Sequence, residues 1–271
     1  MARPVYRAPA RELLLALGAF LFLGRSVCIA DEDAVCAELS TPPTNLLAVV
    51  EKRYAAVTNL SCAVRRQVAG GGEELLSRIA FARGGRLNAE TLSPEPRQTV
   101  VDGTFAWTKG RMDRKPRRVA FDDQSPAQKA SVLCVPASPE EALRTLDPAT
   151  GADLPSPAAP YVRQVVFRLL DAKPDATGRA LVSLDEAGRV RAVELFADAD
   201  FRWRLASYAW DAPVEVLPGV WLFGRSSAET AVNGTPVTLA TRFDNLRVNQ
   251  DLAPDVFDAE KVFGKAAKDK R

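Results

Sequence analysis

The stretch from Gln98 to Trp107 predicts a β-hairpin, and it limits the kinds of fold that the chain can adopt. Asp102-Gly103 is a two-residue turn of the type that joins antiparallel strands, and β-branched residues precede it. After the turn, Phe105 and Trp107 alternate with smaller residues, so both fall on one face of the second strand. Large apolar side chains of this kind lie against a wall that encloses either an ordinary core or a cavity for an apolar ligand.

Segments with the pattern of strands recur along most of the chain. They are separated by turn signals, and Asn233-Gly234 is a second hairpin signature. Together with the hairpin, these segments predict about eleven strands, and an antiparallel sheet of that size curls. The further predicted strands cover residues 60–69, 74–83, 86–92, 161–172, 180–185, 189–197, 201–210, 220–230 and 236–248.

Three helices are expected beside the sheet. Apolar residues from Leu46 to Val57 recur at helical spacing after Pro42-Pro43, which predicts an amphipathic helix that covers either a plain core or a ligand cavity. Two short helices are predicted over residues 124–133 and 138–146, followed by a loop over 147–160. The fold class is therefore α+β and mostly β: a curved antiparallel sheet forming an unclosed barrel, covered by the N-terminal helix and the two mid-chain helices.

The N-terminus has the features of a secretory signal. A basic start precedes the apolar run from Leu13 to Leu23, and small residues at Cys28 and Ala30 favour cleavage after Ala30. Acylation of Cys28 and a retained anchor are the alternatives. We expect residues 1–30 to be a signal peptide, 31–43 a leader, 44–263 a single domain and 264–271 a basic tail, with the mature chain in an oxidising or periplasm-like compartment.

Cys36, Cys62 and Cys134 remain in the mature chain. In an oxidising compartment, one disulfide and one free thiol is the simplest count, and the sequence leaves the pairing open. Cys62 also fits as a small apolar residue on a strand. No two of these cysteines have the spacing of a redox or zinc motif.

Composition argues against several functional classes. The chain has no histidine, which removes Ser-His-Asp and Cys-His catalysis and histidine metal ligands. The net charge of +2 gives no electrostatic reason to expect nucleic acid. Acidic residues such as Asp185 and Asp198 lie in predicted turns, where solvation explains them. We therefore expect no enzymatic activity, no metal and no cofactor.

The basic segment from Lys109 to Arg118 follows the hairpin. It is either a solvated hairpin edge or a contact for an anionic surface, such as a lipid headgroup or an acidic partner. Arg83 is a second unusual cation, because it ends an apolar strand row. It either reaches water at the rim or hydrogen-bonds backbone groups or a polar head.

The order of these features resembles the periplasmic lipoprotein carriers of the LolA type and the related outer membrane lipoprotein-sorting proteins. The resemblance spans about residues 44–263 and rests on the helix, the strand Ile79 to Arg83, the hairpin Val100 to Trp107 and the late meander that ends in Asp255-Val-Phe257. It implies an unclosed barrel whose apolar cavity takes the acyl chains of a lipoprotein, with Arg83 contacting a helical lid.

The resemblance also implies partners: acylated lipoproteins, an inner-membrane release complex and an outer-membrane acceptor, with the carrier acting as a monomer. The alternative is a module on the same fold that senses lipid or envelope stress and has no transfer activity. The expected cavity wall consists of the apolar residues Leu75, Ile79, Phe81, Phe105, Trp107, Phe167, Phe201 and Trp203.

Overall fold

The structure, a computed structural model, describes residues 37–170, 177–232 and 235–264. These residues form one antiparallel sheet whose two edge strands do not meet, and short helices accompany it. The predicted fold class is therefore confirmed. The strands are β1 (Asn59–Val68), β2 (Leu75–Ala82), β3 (Arg86–Ser93), β4 (Arg97–Asp102), β5 (Phe105–Gly110), β6 (Arg117–Ala120), β7 (Leu146–Asp153), β8 (Arg163–Leu169), β9 (Arg179–Leu184), β10 (Val190–Phe196), β11 (Arg204–Leu217), β12 (Val220–Val232) and β13 (Thr235–Val248).

The sheet consists of two meanders joined at one place. Strands β1 to β6 pair in sequence, and so do β7 to β13, while β1 pairs with β13 to unite the two halves. The edges are therefore β6 and β7. Pairing of β1 with β13 places Val64 opposite Phe243, although long stretches of sequence separate these two residues.

Five helices accompany the sheet in the described part of the chain. They are α1 (Ala37–Ser40), α2 (Leu46–Ala55), α3 (Pro126–Leu133), α4 (Glu140–Leu143) and α5 (Ala259–Phe263). Helix α2 is the predicted amphipathic helix, and its apolar stripe of Leu46, Val50 and Tyr54 is buried. These side chains join the main hydrophobic core together with residues from β1, β2, β8, β9 and β10. Helix α2 thus covers one face of the sheet, called the inner face below.

The two mid-chain helices also pack on the inner face. Helix α3 begins at a capping box in which Ser125 and Gln128 satisfy each other's backbone N–H groups, and its Val132 packs against Val101 and Ala106. The second helix spans only Glu140–Leu143 and is therefore shorter than the predicted 138–146. The chain turns away after Leu143 so that Leu146 can enter strand β7.

Thirteen strands are present where about eleven were predicted. The two additional strands, β6 and β7, lie at the sheet edges, where prolines and glycines are tolerated. Strand β7 falls mostly within residues 147–160, which were predicted to be loop because they are rich in proline, alanine and glycine, among them Pro148 and Gly151. A Cβ atom at Gly151 would lie 2.6 Å from the carbonyl oxygen of Pro43 and 2.8 Å from the ring of Phe167, so the glycine permits a close approach of chain segments.

The late strands are longer than the sequence pattern indicates. Strand β11 continues through Pro213, beyond the predicted end of the strand at residue 210, and places it opposite Phe223. Strand β10 pairs with β11 only as far as Ala209, so Pro213 has a partner strand on one side only, where a proline is tolerated. Val232 pairs with Thr235 across the predicted Asn233-Gly234 turn, whose own residues lie outside the described ones.

The predicted signal peptide, most of the leader and the basic tail after Gly264 lie outside the described residues. Among the residues that are described, no helix is long and apolar enough to span a membrane. Near the C-terminus, residues 254–263 form a short 3₁₀ turn followed by helix α5, which pack on the sheet through Phe257 and Ala259.

Candidate functional site

The inner face beneath the helices is apolar and closely packed. Leu60 and Val64 on β1, Phe81 on β2 and Phe167 on β8 are completely buried there. Period-two alternation explains the pattern on β1, since Leu60, Cys62 and Val64 point inward while their neighbours point outward. The space under helix α2 is therefore occupied by side chains from both halves of the sheet.

Arg83, just after β2, connects the three covering helices. Its guanidinium donates to the carbonyl oxygens of Tyr54 at 2.7 Å, Val57 at 3.2 Å and Leu133 at 3.5 Å. Tyr54 and Leu133 lie in the last turns of α2 and α3, where carbonyl groups lack partners within the helix. A cation at these ends also interacts favourably with the helix dipoles.

Glu140 of helix α4 completes this polar hub. One carboxylate oxygen lies 2.9 Å from the Arg83 guanidinium, and the other accepts the backbone N–H of Val135 at 2.6 Å. The Glu140 side chain is only 4% exposed, whereas that of Arg83 is 28% exposed. A carboxylate this buried needs both partners, because an unpaired buried charge is strongly destabilising. The latch, defined as Arg83 and Glu140, therefore ties α2, α3 and α4 together at the edge of β2.

A small cavity lies beside the latch, between α2, α4 and β7. It has a volume of about 180 Å³. Its walls combine apolar side chains with a few charged ones: Leu47, Val50, Glu51, Glu140, Leu143, Arg144, Leu146 and Pro148. An apolar cavity of about 150 Å³ is large enough for benzene. The cavity therefore accommodates a short segment of an acyl chain and not a whole one.

Two solved structures share this architecture. A putative outer membrane lipoprotein-sorting protein domain from Vibrio parahaemolyticus is 15% identical with a TM-score of 0.51, covering 78% of this chain and 95% of the other. A DUF1329 family protein from Desulfovibrio piger is 13% identical with a TM-score of 0.53, covering 81% and 99%. This chain has a LolA-type fold.

The resemblance that the sequence predicted is thus confirmed at the level of fold. A LolA superfamily protein from Nitrosomonas europaea is also similar, at 10% identity and a TM-score of 0.47, covering 77% of this chain and 96% of that one. No protein-family model matches the sequence, and no curated protein matches it either. At 15% and 13% identity, the likeness to the Vibrio parahaemolyticus and Desulfovibrio piger proteins shows the fold alone.

The predicted wall residues do not form one wall in the LolA-type fold. Phe81 and Phe167 are buried in the inner core, and Ile79 packs against it half-buried. Leu75 is half-buried at the start of β2. These residues are compatible with an interior site, but the first two already serve as core.

Phe105 and Trp107 lie on the opposite face, which corrects the prediction. Strand register shows why, since Phe81 pairs with Leu87, Leu87 with Val101 and Val101 with Ala106. Directly paired residues share a face, so the neighbours of Ala106 point outward. There Trp107 packs with Val100 and Ala259, and the Arg118 guanidinium lies 4.5 Å from the Phe105 ring.

Phe201 and Trp203 also lie away from the inner core. Both precede β11, in a turn where the Asp198 carboxylate accepts the backbone N–H groups of Arg202 and Trp203. Phe201 has a φ of 58° and contacts the ring of Phe196 edge-on, with centroids 5.1 Å apart. Trp203 is 73% exposed. The prediction failed because a strand was expected to begin at residue 201.

Cys62 and Cys134 are buried free thiols in the described structure, so they do not form the expected disulfide with each other. Burial raises the pKa of each thiol to about 12, which makes both unreactive at neutral pH. Cys36 lies outside the described residues. Sequence reasoning missed Glu140, although its position next to a helix start was recognised. Only the fold brings it to Arg83, so no local signal marks the pair.

In residues 37–170, 177–232 and 235–264, no group of three or more side chains is arranged to hold a metal ion. The polar hub of this LolA-type fold consists of charge-assisted hydrogen bonds between backbone carbonyls, one guanidinium and one carboxylate. These contacts can hold helices α2, α3 and α4 together, and the helices can separate when the contacts break.

Proposed function

We propose that the chain is a periplasmic carrier that binds lipoprotein acyl chains in the apolar interior beneath α2, α3 and α4, for transfer toward the outer membrane. The observation that carries this proposal is the latch: one arginine joins the ends of two helices and a third helix over an apolar face. In this proposal the chain binds and releases its cargo as a monomer, without catalysis.

The closed structure requires the cover to move before a lipid enters. The cavity of about 180 Å³ is too small for a long acyl chain, and the remaining interior is filled by side chains. Burying an acyl chain contributes about 0.8 kcal/mol per methylene, which offsets part of the cost of separating the covering helices from the sheet. Binding and cover opening are therefore coupled in this proposal.

A polar latch suits such a cover because its contacts are few and localised. Separating α2 from β2 breaks the hydrogen bonds of Arg83, and each bond lost to water has a modest net cost of about 1 kcal/mol. The opened guanidinium is then exposed near the cavity mouth, where the polar end of a lipoprotein would lie. An entirely apolar clamp would offer no comparable site for the polar end.

The test is binding of a fluorescent fatty acid to the purified mature chain, followed by displacement with a diacylated peptide. We expect saturable binding that the acylated peptide displaces and the unacylated peptide does not. Arg144→Trp places a large ring at the wall of the cavity, from a side chain that is 43% exposed, and should weaken binding. Leu205→Trp, at a residue 49% exposed, is the matched control. Absence of saturable probe binding would contradict the proposal.

The alternative function is a sensing module on the same fold, and one observation favours it. The β5–β6 connection presents Arg111, Arg114 and Lys115 to solvent around Met112, which is 91% exposed. An apolar tip within a basic loop fits an anionic membrane or an acidic partner. Capture of one stoichiometric protein partner, with no movement of acylated cargo between membranes, would favour the sensor over the carrier. The carrier function, in contrast, requires two other partners: a release complex in the inner membrane and an acceptor in the outer membrane.

A further inference from the structure

A groove of about 830 Å³ lies on the face of the sheet opposite helix α2. Val64 points inward into the core, so the next residue, Arg65, points outward. Arg65 pairs with Arg242, Arg242 with Arg225 and Arg225 with Asp211, and paired residues share a face. A row of three arginines therefore crosses β1, β13 and β12 and ends at a carboxylate on β11.

Small side chains form the floor of this groove. In the neighbouring row, Gln67 pairs with Ala240, Ala240 with Ser227 and Ser227 with Ala209. All of these residues line the groove. Because alanine and serine project little from a sheet, a ligand can approach the backbone between the arginine row and the wall at residues 160–162.

The two ends of the groove differ in charge compensation. At one end, Asp185 contacts Arg189 at 2.8 Å and Arg191 at 3.2 Å, and Arg191 also contacts Asp211 at 2.8 Å. These two arginines and two aspartates neutralise each other. The charges at this end of the groove thus compensate one another, and none is left unpaired for a ligand.

The other end is cationic. Arg65 and Arg242 share Asp244, at 3.4 Å and 2.8 Å, and Arg65 lies 3.8 Å from Glu74. Within the described part of the chain, the exposed guanidinium of Arg225 has no ion pair or hydrogen bond, although it lies next to Arg242 in the row. Like charges directly opposite each other on paired strands are destabilising. The arrangement leaves positive charge without a partner at Arg225.

We propose that this groove binds a phosphate group, held by Arg225 and Arg242 over the floor of Ala240 and Ser227. Neighbouring strands are about 4.8 Å apart, so two adjacent guanidinium groups can reach one small anion. A phosphate has enough oxygens to accept paired hydrogen bonds from two guanidinium groups at once, whereas one guanidinium group already uses both oxygens of a carboxylate. The phosphate belongs either to a lipid headgroup or to a soluble phosphorylated compound.

This site is independent of the proposed acyl-chain site, because the two lie on opposite faces of the sheet. A molecule bound under α2 would not contact Arg225. The phosphate site can therefore exist whether or not the chain carries lipoproteins, and each hypothesis can fail without the other.

The experiment uses the mature chain at low ionic strength and titrates it with inorganic phosphate by calorimetry. A parallel arm measures co-sedimentation with vesicles of phosphatidylglycerol mixed into phosphatidylcholine, and with phosphatidylcholine alone. We expect saturable phosphate binding that Arg225→Gln and Arg242→Gln each weaken at least about tenfold, because each removes a charge-assisted contact. Arg247→Gln, an exposed arginine on the same strand as Arg242, should bind like the unaltered protein.

Headgroup binding is indicated if Arg225→Gln also abolishes sedimentation with phosphatidylglycerol vesicles, and a soluble compound is indicated if only inorganic phosphate binds. Thermal unfolding of Arg225→Gln should match or exceed that of the unaltered protein, since the substitution relieves repulsion. Absence of phosphate binding, or equal binding by all the variants, overturns the proposal. So does vesicle binding that is lost only in Arg114→Gln/Lys115→Gln, without any phosphate binding, because the basic loop would then be responsible.

Discussion

Arg83 contacts the carboxyl ends of two helices and the side chain of a third, and Glu140 depends on it for charge compensation. The position of Arg83 at the end of an apolar strand row was recognisable in the sequence as unusual. Its partners were not, because Tyr54, Leu133 and Glu140 come from separate parts of the chain. A side chain's chemistry can thus be predicted locally, whereas its contacts depend on tertiary structure.

Arg83→Met retains the apolar stem and removes the guanidinium, leaving the Glu140 carboxylate buried without its cation. We expect the free energy of unfolding to fall by about 3 kcal/mol. Apparent affinity for a fluorescent fatty acid should rise, because a less stable closed state opens more often. Denaturant unfolding and probe titration measure the two effects.

Arg78→Met is the control for this substitution, since Arg78 lies on β2, the strand that Arg83 follows, and its side chain is 69% exposed and forms an ion pair with the exposed Glu90 at 3.5 Å. It should change neither quantity appreciably. If Arg83→Met loses stability but binds the probe no better than the unaltered protein, Arg83 is a structural residue and the latch interpretation is wrong.

Glu38 provides a pH-dependent test at the same scale. It is fully buried beside Arg53, and burial raises its pKa above the ordinary 4.5 even though Arg53 acts in the opposite direction. The folded state therefore binds this proton more tightly than the unfolded state. The stability contributed by Glu38 is present below pH 4.5 and is lost as the pH rises through the raised pKa.

The measurement is the free energy of unfolding of the unaltered protein minus that of Glu38→Gln, as a function of pH. This difference should decrease as the pH rises from 4.5. Subtraction removes the contributions of other titrating groups and any constant effect on Arg53. A flat difference would show that the Arg53 ion pair cancels the effect of burial, and an increase with pH would show that the ion pair dominates; either result contradicts a raised pKa.

At the level of secondary-structure elements, the sequence predicted where most strands lie along the chain. It did not predict which side chains of a strand point to the inner face of the sheet. Alternation shows that Phe105 and Trp107 share a face, but only the register from Phe81 to Ala106 shows that this face is the outer one. Edge strand β7 was missed because Pro148 and Gly151 are turn signals in isolation. Contacts with the turn at Pro43 and with Phe167 override that local preference.

Gly151→Ala tests this close approach. Its Cβ would lie 2.6 Å from a backbone oxygen of Pro43, so the chain has to shift, and we expect a loss of about 2 kcal/mol in the free energy of unfolding. Gly219→Ala is the comparison, because Gly219 has a φ of +69° and nothing within 4 Å of the added carbon. It should cost about 1 kcal/mol, through backbone strain alone. Equal losses in chemical denaturation would argue against a tight contact at Gly151.

At the scale of the whole molecule, the pairing of β1 with β13 joins two meanders into one unclosed sheet. The sequence predicted the meanders, because sequential hairpins follow from local turns. It did not predict which distant strands unite them. The core under α2 contains side chains from both meanders, so in the proposed carrier function an acyl chain that enters there separates the helices from both halves of the sheet.

Photo-crosslinking is the most direct test of whether acyl chains bind beneath helix α2. Benzoylphenylalanine replaces Leu47, which lines the cavity beneath the cover, or Trp203, which is 73% exposed outside the inner core. Each protein is irradiated with a diacylated peptide, and the crosslinked atoms are located by mass spectrometry. Crosslinks from position 47 to the acyl chains, with none from position 203, are the predicted result. A bound peptide that crosslinks from position 203 and not from position 47 would contradict an acyl-chain site beneath α2.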